Sequence, residues 1–250
     1  MMHGKQGRAY IGCSGFSYDK WHGMFYPEDA DKKHLLAYYA RHFNAVEINS
    51  SFYGLPKPST IRKWLDETPR DFRFCFKVSR YITHVKKLND PEKGATRFMD
   101  AVSDVARRKG PLLLQLSPTL KPQYKRLDKT LRALKKDKSA RWQVAVECRN
   151  EDWYGDELDA LLNRHRASLV IHDMKRGKNA EPNAGAPFIY LRYHGPRGDY
   201  GGSYGDARLR RDAKRIRTWL NEGRNVYAFF NNDADGYAPL DALRLKEFLG

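Results

Sequence analysis

Gln143-Val-Ala-Val-Glu-Cys-Arg149 alternates strictly. Val144, Val146 and Cys148 fall on one side, and Ala145, Glu147 and Arg149 on the other. Side chains alternate along a β-strand, so the stretch reads as a strand with one apolar and one polar face. The same parity recurs elsewhere. Val46 and Ile48 oppose Glu47 and Asn49, while Phe74 and Phe76 oppose Cys75 and Lys77. Leu112, Leu114 and Leu116 oppose Gln115, and Ile189 and Leu191 oppose Arg192 and His194. The apolar faces suit packing beneath helices, which turns the polar faces into the interior of a barrel. The polar residues also gather at the C-terminal ends of the strands, where β/α barrels place their chemistry.

Working outward, short β-branched or aromatic runs alternate with longer runs of helical period, the signature of βαβ units and a parallel sheet. The predicted strands are Ala9–Cys13, Ala45–Asn49, Arg73–Lys77, Leu112–Leu116, Gln143–Glu147, Ser168–His172, Phe188–Tyr193 and Asn225–Phe230. Eight strands in this alternation predict a single (β/α)8 barrel of the TIM type over residues 1–250. Asp31 is expected to cap a helix carrying Leu35, Leu36, Tyr39 and Phe43, and Ser59 the next, with Ile61, Trp64 and Leu65 inward. Leu127, Leu131 and Leu134 mark the fourth helix; Leu209, Ala213, Ile216 and Leu220 mark the seventh. Met174–Pro187 is short, polar and contains Gly and Pro, so the sixth helix is expected to be short or missing.

Lys and Arg outnumber Asp and Glu by 46 − 30 = 16, which raises a polyanionic partner as a question. The basic clusters Arg107–Lys109, Arg132–Lys138 and Arg208–Arg217 fall on different predicted helices, as solvated faces do. No apolar h-region follows residues 1–10, and no apolar run reaches membrane-helix length, so a cytoplasmic protein without a membrane partner is expected. Cys13, Cys75 and Cys148 are widely spaced and lack the paired spacing of a zinc site; buried, reduced thiols are expected. GxGxxG, P-loop, GxSxG and HExxH patterns are absent. Nicotinamide, ATP and the commonest serine-hydrolase readings therefore lack support, and no cofactor is called for.

The loops sharpen a site. Ser14–Tyr26 holds Phe16, Tyr18, Trp21, Phe25 and Tyr26, rings that either stack on a ligand or form a packed lid. Ser50-Ser51-Phe52-Tyr53 follows the second strand, and a glycine-rich loop, Gly195–Gly205, follows the seventh. The last strand ends on Asn231-Asn232-Asp233.

These segments together resemble the YecE-like family, described as domain of unknown function 72. The matching stretches include Gly12-Cys-Ser-Gly-Phe-Ser-Tyr18, Trp21, Phe25-Tyr-Pro27 and Val46-Glu-Ile-Asn-Ser-Ser-Phe-Tyr53. Phe76-Lys77, Ile82-Thr-His84, Gln115-Leu116, Val146-Glu-Cys-Arg149, Trp153, Asp173, Arg192-Tyr-His-Gly195 and Phe230-Asn-Asn-Asp233 complete it. The resemblance runs from about Tyr10 to the C-terminus and implies a β/α barrel, with no assigned reaction. Ser117-Pro118 stands where two prolines are usual, Cys13 and Phe16 replace the commoner Thr and Trp, and the segment after Asp173 is short.

The leading functional expectation is a metal-independent hydrolase or lyase acting on a small anionic, phosphate- or carboxylate-bearing or sugar-like compound. Glu47 and Glu147 would be its acid/base pair and His194 its proton shuttle. Lys77, Arg149 and Arg192 would clamp the anion, with Asn49, Tyr53, Gln115, Asp173, Asn231, Tyr18 and Trp21 around it. One alternative is a divalent-metal isomerase or endonuclease-like barrel using Glu47, Glu147, His172, Asp173 and His194. Another is a nucleic-acid binder or processor, motivated by charge and loop aromatics.

Overall fold

Each predicted strand forms. A computed structural model describes residues 6–137 and 142–250; the readings at residues 1–5 and at Lys138 lie outside them. The strands are β1 (Ala9–Cys13), β2 (Ala45–Ile48), β3 (Arg73–Phe76), β4 (Leu112–Gln115) and β5 (Val144–Glu147). The sixth wall position is split into β6 (Ser168–Leu169) and β7 (Ile171–His172), and β8 (Phe188–Tyr193) and β9 (Asn225–Phe230) follow. All ladder pairings are parallel. The split has a local cause. Val146 and Val170 still bond, but Ile171 turns to pair with Leu191, so the strand changes partner within one residue.

The ladders form three groups, β1-β9-β8-β7, β2-β3 and β4-β5-β6. Isolated parallel bridges join the groups at two of three seams, Ser14 to Glu47 between β1 and β2, and Phe74 to Lys109 and Lys77 to Leu113 between β3 and β4. Among the described residues no strand pairing joins β6 to β7, so the sheet does not close into a continuous ring. Around this wall lie α1 (Leu35–His42), the short α2 (Ser50–Tyr53), α3 (Pro58–Asp66), α4 (Pro91–Val102), α5 (Tyr124–Leu134) and α6 (Asp156–Arg164). α7 (Asp206–Asn221) and α8 (Ala238–Leu249) complete them, and residues 173–187 hold no helix, as the short, polar connection implied. Among the described residues, no helix is long and apolar enough to cross a membrane.

The parity reading sorts the interior into two layers. Val46, Ile48, Phe74, Phe76, Leu114 and Val146 join the apolar layer between wall and helices. Ala45, Cys75, Leu113, Ala145, Phe188 and Tyr190 form a second apolar cluster inside the wall. Five of these six sit two positions before a polar residue on the same face: Ala45 before Glu47, Cys75 before Lys77, Leu113 before Gln115, Ala145 before Glu147, Tyr190 before Arg192. The barrel is thus apolar below and ionic above. The three cysteines are buried and unpaired.

Two cap assignments are corrected. α1 begins at Leu35, and Asp31 instead accepts from the Lys33 backbone N–H at 2.8 Å, closing a local turn ahead of the helix. α3 begins one residue before Ser59, because Pro58 supplies the fixed φ favoured at a first helical position. Arg107 and Arg108 end a 3-10 turn rather than an α-helix.

β1 passes so close to β2 that a Cβ at Gly12 would collide with the Ala45 carbonyl oxygen and the Tyr39 hydroxyl. Gly12→Ala is therefore expected to cost about 1–3 kcal/mol of stability, read as a lower urea midpoint with an unchanged slope.

Candidate functional site

Arg192 points inward from β8 and is fully buried between two fully buried carboxylates. Its Nη2 donates to Glu47 Oε1 at 2.7 Å and its Nε to Glu47 Oε2 at 3.0 Å. Its Nη1 donates to Glu147 Oε2 at 2.7 Å. Glu47 also accepts from Ser14 Oγ at 2.6 Å and from the Tyr190 hydroxyl at 2.8 Å. Glu147 Oε1 pairs with Arg149 and accepts from Gln115 Nε2 at 3.2 Å. Burial alone would raise both carboxyls. The adjacent guanidinium groups override it, holding Glu47 below and Glu147 well below the usual carboxylate range.

These contacts revise the expected acid/base pair. Both oxygens of each carboxylate are engaged, both groups stay ionised, and neither reaches solvent. A general acid or base needs access and a proton affinity near the working pH. Glu47 and Glu147 have neither; they form an ionic floor.

His194 is revised in the same way. Its Nε2 lies 3.0 Å from Arg192 Nη1 and 3.0 Å from Arg149 Nη2. Flanked by two obligate donors, Nε2 must be an acceptor, which puts the proton on Nδ1. Burial pushes the imidazole down to about 4, outweighing Asp173, whose carboxylate lies 3.6 Å from Nδ1. A neutral ring that orients two arginines is not a shuttle at neutral pH. Asp173 accepts from the His194 backbone N–H at 2.8 Å and from the Tyr204 hydroxyl at 2.5 Å, so it anchors the end of β8.

Lys77 differs from its neighbours. Among the described residues no carboxylate lies within ion-pair distance of its ammonium, which instead sits 4.2 Å from the centroid of the Phe52 ring. The side chain is half-buried at the mouth. Burial and the nearby charge of Arg192 push it down to about 8. At the end of the adjoining strand β2, Asn49 Oδ1 is buried without a hydrogen-bond partner. The Ser51 hydroxyl ties the two strands below, sharing its one proton between the Ile48 and Lys77 carbonyl oxygens at 2.8 and 2.7 Å.

The rim residues divide. Tyr53 is 77% exposed, and the Asn231 side chain is half-buried. Trp21 is fully buried against Tyr18, Phe25, Tyr26 and Tyr39, with its indole N–H bonded to Asp233. The Tyr18 hydroxyl donates to the Ser14 carbonyl at 2.5 Å. Of the two readings of this aromatic loop, the packed lid holds, and Trp21 has no face to offer a ligand. The glycine-rich loop folds back on the protein: the Tyr200 backbone N–H bonds to the His194 carbonyl, and the Tyr200 ring meets the His194 ring edge-on at 5.5 Å. Sequence reading missed Ser14, Tyr190, Phe52 and Tyr200. Tyr190 was within reach, since it shares the face of Arg192 two residues earlier.

The ligand set of the divalent-metal alternative is also dispersed. Among the described residues, no three His, Cys, Asp or Glu side chains are grouped to hold a metal ion. Arg192 occupies the position between the two glutamates where a cation would bind.

The family model for a protein of unknown function, DUF72, matches residues 10–250. The chain belongs to the DUF72 family. It is 33% identical over 183 residues to UPF0759 protein YecE of Escherichia coli K12, an alignment covering 71% of this chain and 63% of YecE. It is 24% identical to UPF0759 protein YunF of Bacillus subtilis, across 96% of this chain and 94% of YunF. Among solved structures, a DUF72 protein from Thermotoga maritima matches with a TM-score of 0.85 and 27% identity, covering 97% of this chain and 99% of that one. One from Enterococcus faecalis matches at 0.78 and 21%, with 98% of each chain covered, and supports the fold alone.

Two outcomes follow for this DUF72 site. Lowering the pH from 6.5 to about 4 should remove about 3 kcal/mol of stability through His194, because the unfolded imidazole takes its proton first. His194→Gln, which keeps an acceptor for the arginines, should flatten that part of a stability–pH curve. Arg192→Met leaves two buried carboxylates short of a cation and should cost about 3–5 kcal/mol at neutral pH. Its chemical denaturation midpoint should then rise, not fall, as acid protonates them.

Proposed function

We propose that the barrel mouth binds a small anionic compound at Lys77, above a floor whose own charges cancel. The observation that carries this reading is the missing partner of Lys77. Glu47 and Glu147 balance Arg149 and Arg192, so the ammonium is the uncompensated charge of the cluster. A phosphate or carboxylate would supply the missing anion. Asn49 Oδ1, buried and unpaired at the end of the adjoining strand, would accept from a ligand hydroxyl. Location in the cytosol fits the three unpaired cysteines.

Of hydrolase and lyase chemistry, the arrangement favours the lyase. A hydrolase of the expected kind needs a carboxylate free to activate water, and both are saturated. Lys77, pushed down to about 8, is instead partly neutral near physiological pH. A neutral amine adds to a ligand carbonyl carbon and, with loss of one water, gives an imine. The protonated imine accepts the electron pair of the adjacent carbon–carbon bond as it breaks, and the other fragment leaves as an aldehyde or carbon dioxide. The enamine takes a proton from solvent at carbon, and water then hydrolyses the re-formed imine to product and free amine. The nucleic-acid alternative loses its best stacking ring at the mouth, since Trp21 is fully buried.

Inorganic phosphate and a panel of three- to six-carbon carbonyl phosphates and 2-oxo acids test this in two arms. Phosphate should raise the melting temperature below pH 8 and lose that effect as Lys77 deprotonates above it. Borohydride with a cognate carbonyl compound should add its reduced mass to Lys77. Lys77→Met should lose both responses, and Lys77→Arg should keep the phosphate effect alone. Phosphate stabilisation unchanged in Lys77→Met would overturn the site, and absence of any adduct across the panel would overturn the imine step.

A further inference from the structure

The absence of a helix between β7 and β8 leaves a space. A cavity of about 510 Å³ lies between β7, β8 and α7, well within the size of small-molecule sites. Its apolar lining is Ile171, Leu191, Tyr193 and Trp219. His172, Asp173 and Arg192 also border it. Leu191 and Tyr193 point to the opposite side of β8 from the Arg192 side chain, which is turned onto Glu47 and Glu147, so the cavity lies on the outer side of the wall and backs onto the ionic floor.

The rim is cationic. α7 contributes Arg208, Arg211, Lys214 and Arg215, and Lys178 comes from the segment that stands in for the helix. Arg208 is paired with Asp212 at 2.8 Å and Arg215 with Glu181 at 3.1 Å. Arg211, Lys214 and Lys178 have no carboxylate within ion-pair distance among the described residues. Exposed lysines and arginines are ordinarily just solvated. Here they surround an apolar floor, and Arg215 also lies 4.9 Å from the centroid of the Trp219 ring. An apolar body would cover the floor, and an anionic group would meet the unpaired cations.

We infer that this cavity is a second ligand site, for a small molecule that joins a flat apolar body to a phosphate, sulfonate or carboxylate. The body takes the packing place of the helix that a complete barrel would have between these strands. This site does not depend on the reading of the mouth.

The dye 8-anilinonaphthalene-1-sulfonate has both features and serves as the probe. Its fluorescence should rise on binding to the native protein and saturate at one dye per chain. Arg211→Glu with Lys214→Glu should weaken binding about tenfold or more, equivalent to at least about 1.4 kcal/mol. Ala180→Trp, which fills the cavity from its exposed rim, should abolish it. Lys93→Glu with Arg97→Glu removes the same charge from exposed positions on α4 and should leave binding within about twofold, by the near-additivity of distant sites. Lys77→Met should leave it unchanged, which separates this site from the mouth. Equal weakening by the α4 pair, or intact binding in Ala180→Trp, would overturn the inference; the latter would assign the rim to anions that do not use the floor.

Discussion

The guanidinium of Arg192 holds the upper barrel together. It reaches Glu47 from β2 and Glu147 from β5 while rooted on β8, so one side chain ties three strands around the wall. Charges inside a dry wall persist only when paired and hydrogen-bonded. That requirement accounts for the rest of the shell. Ser14 and Tyr190 take the remaining valence of Glu47, Gln115 and Arg149 that of Glu147, and His194 accepts from both arginines. The floor is electroneutral as a result, and the unpaired ammonium of Lys77 stands out against it.

How much of this was legible depends on the length scale of each signal. Alternation along a strand is a one-dimensional property, and it placed Glu47, Lys77, Gln115, Glu147, Arg149, Arg192 and His194 on the inner face. Which of them touch is a property of the folded wall. Glu47 and Arg192 are 145 residues apart, and nothing local to either announces that their charges are spent on each other. The same gap separates His194 as a plausible proton carrier from His194 as a neutral acceptor between two arginines. Trp21 looked like a stacking platform because loop aromatics read alike whether they cover a ligand or one another. The Asp31 and Ser59 caps failed more locally: an Asp that closes a turn and a Ser just inside a Pro-initiated helix fit the same pattern as true caps.

The barrel scaffold constrains function weakly, since unrelated activities share it. What distinguishes the DUF72 chain is therefore its side chains: an ionic floor closed on itself, a lysine left over, and a wall position without its helix.

The two bridged seams in the wall give the mouth an uneven build. β2 and β3 pair fully with each other but meet β1 and β4 only through isolated bridges. They form a stave carrying Glu47, Asn49 and Lys77, while Gln115, Glu147, Arg149, Arg192 and His194 belong to the other two groups. Backbone hydrogen bonds are sparse where this stave joins the rest, so the Arg192–Glu47 pair acts as its cross-brace. Asn44 and Tyr39 bridge the lower β1–β2 seam through their side chains, so at this seam side chains carry much of the load that a continuous sheet elsewhere gives to the backbone.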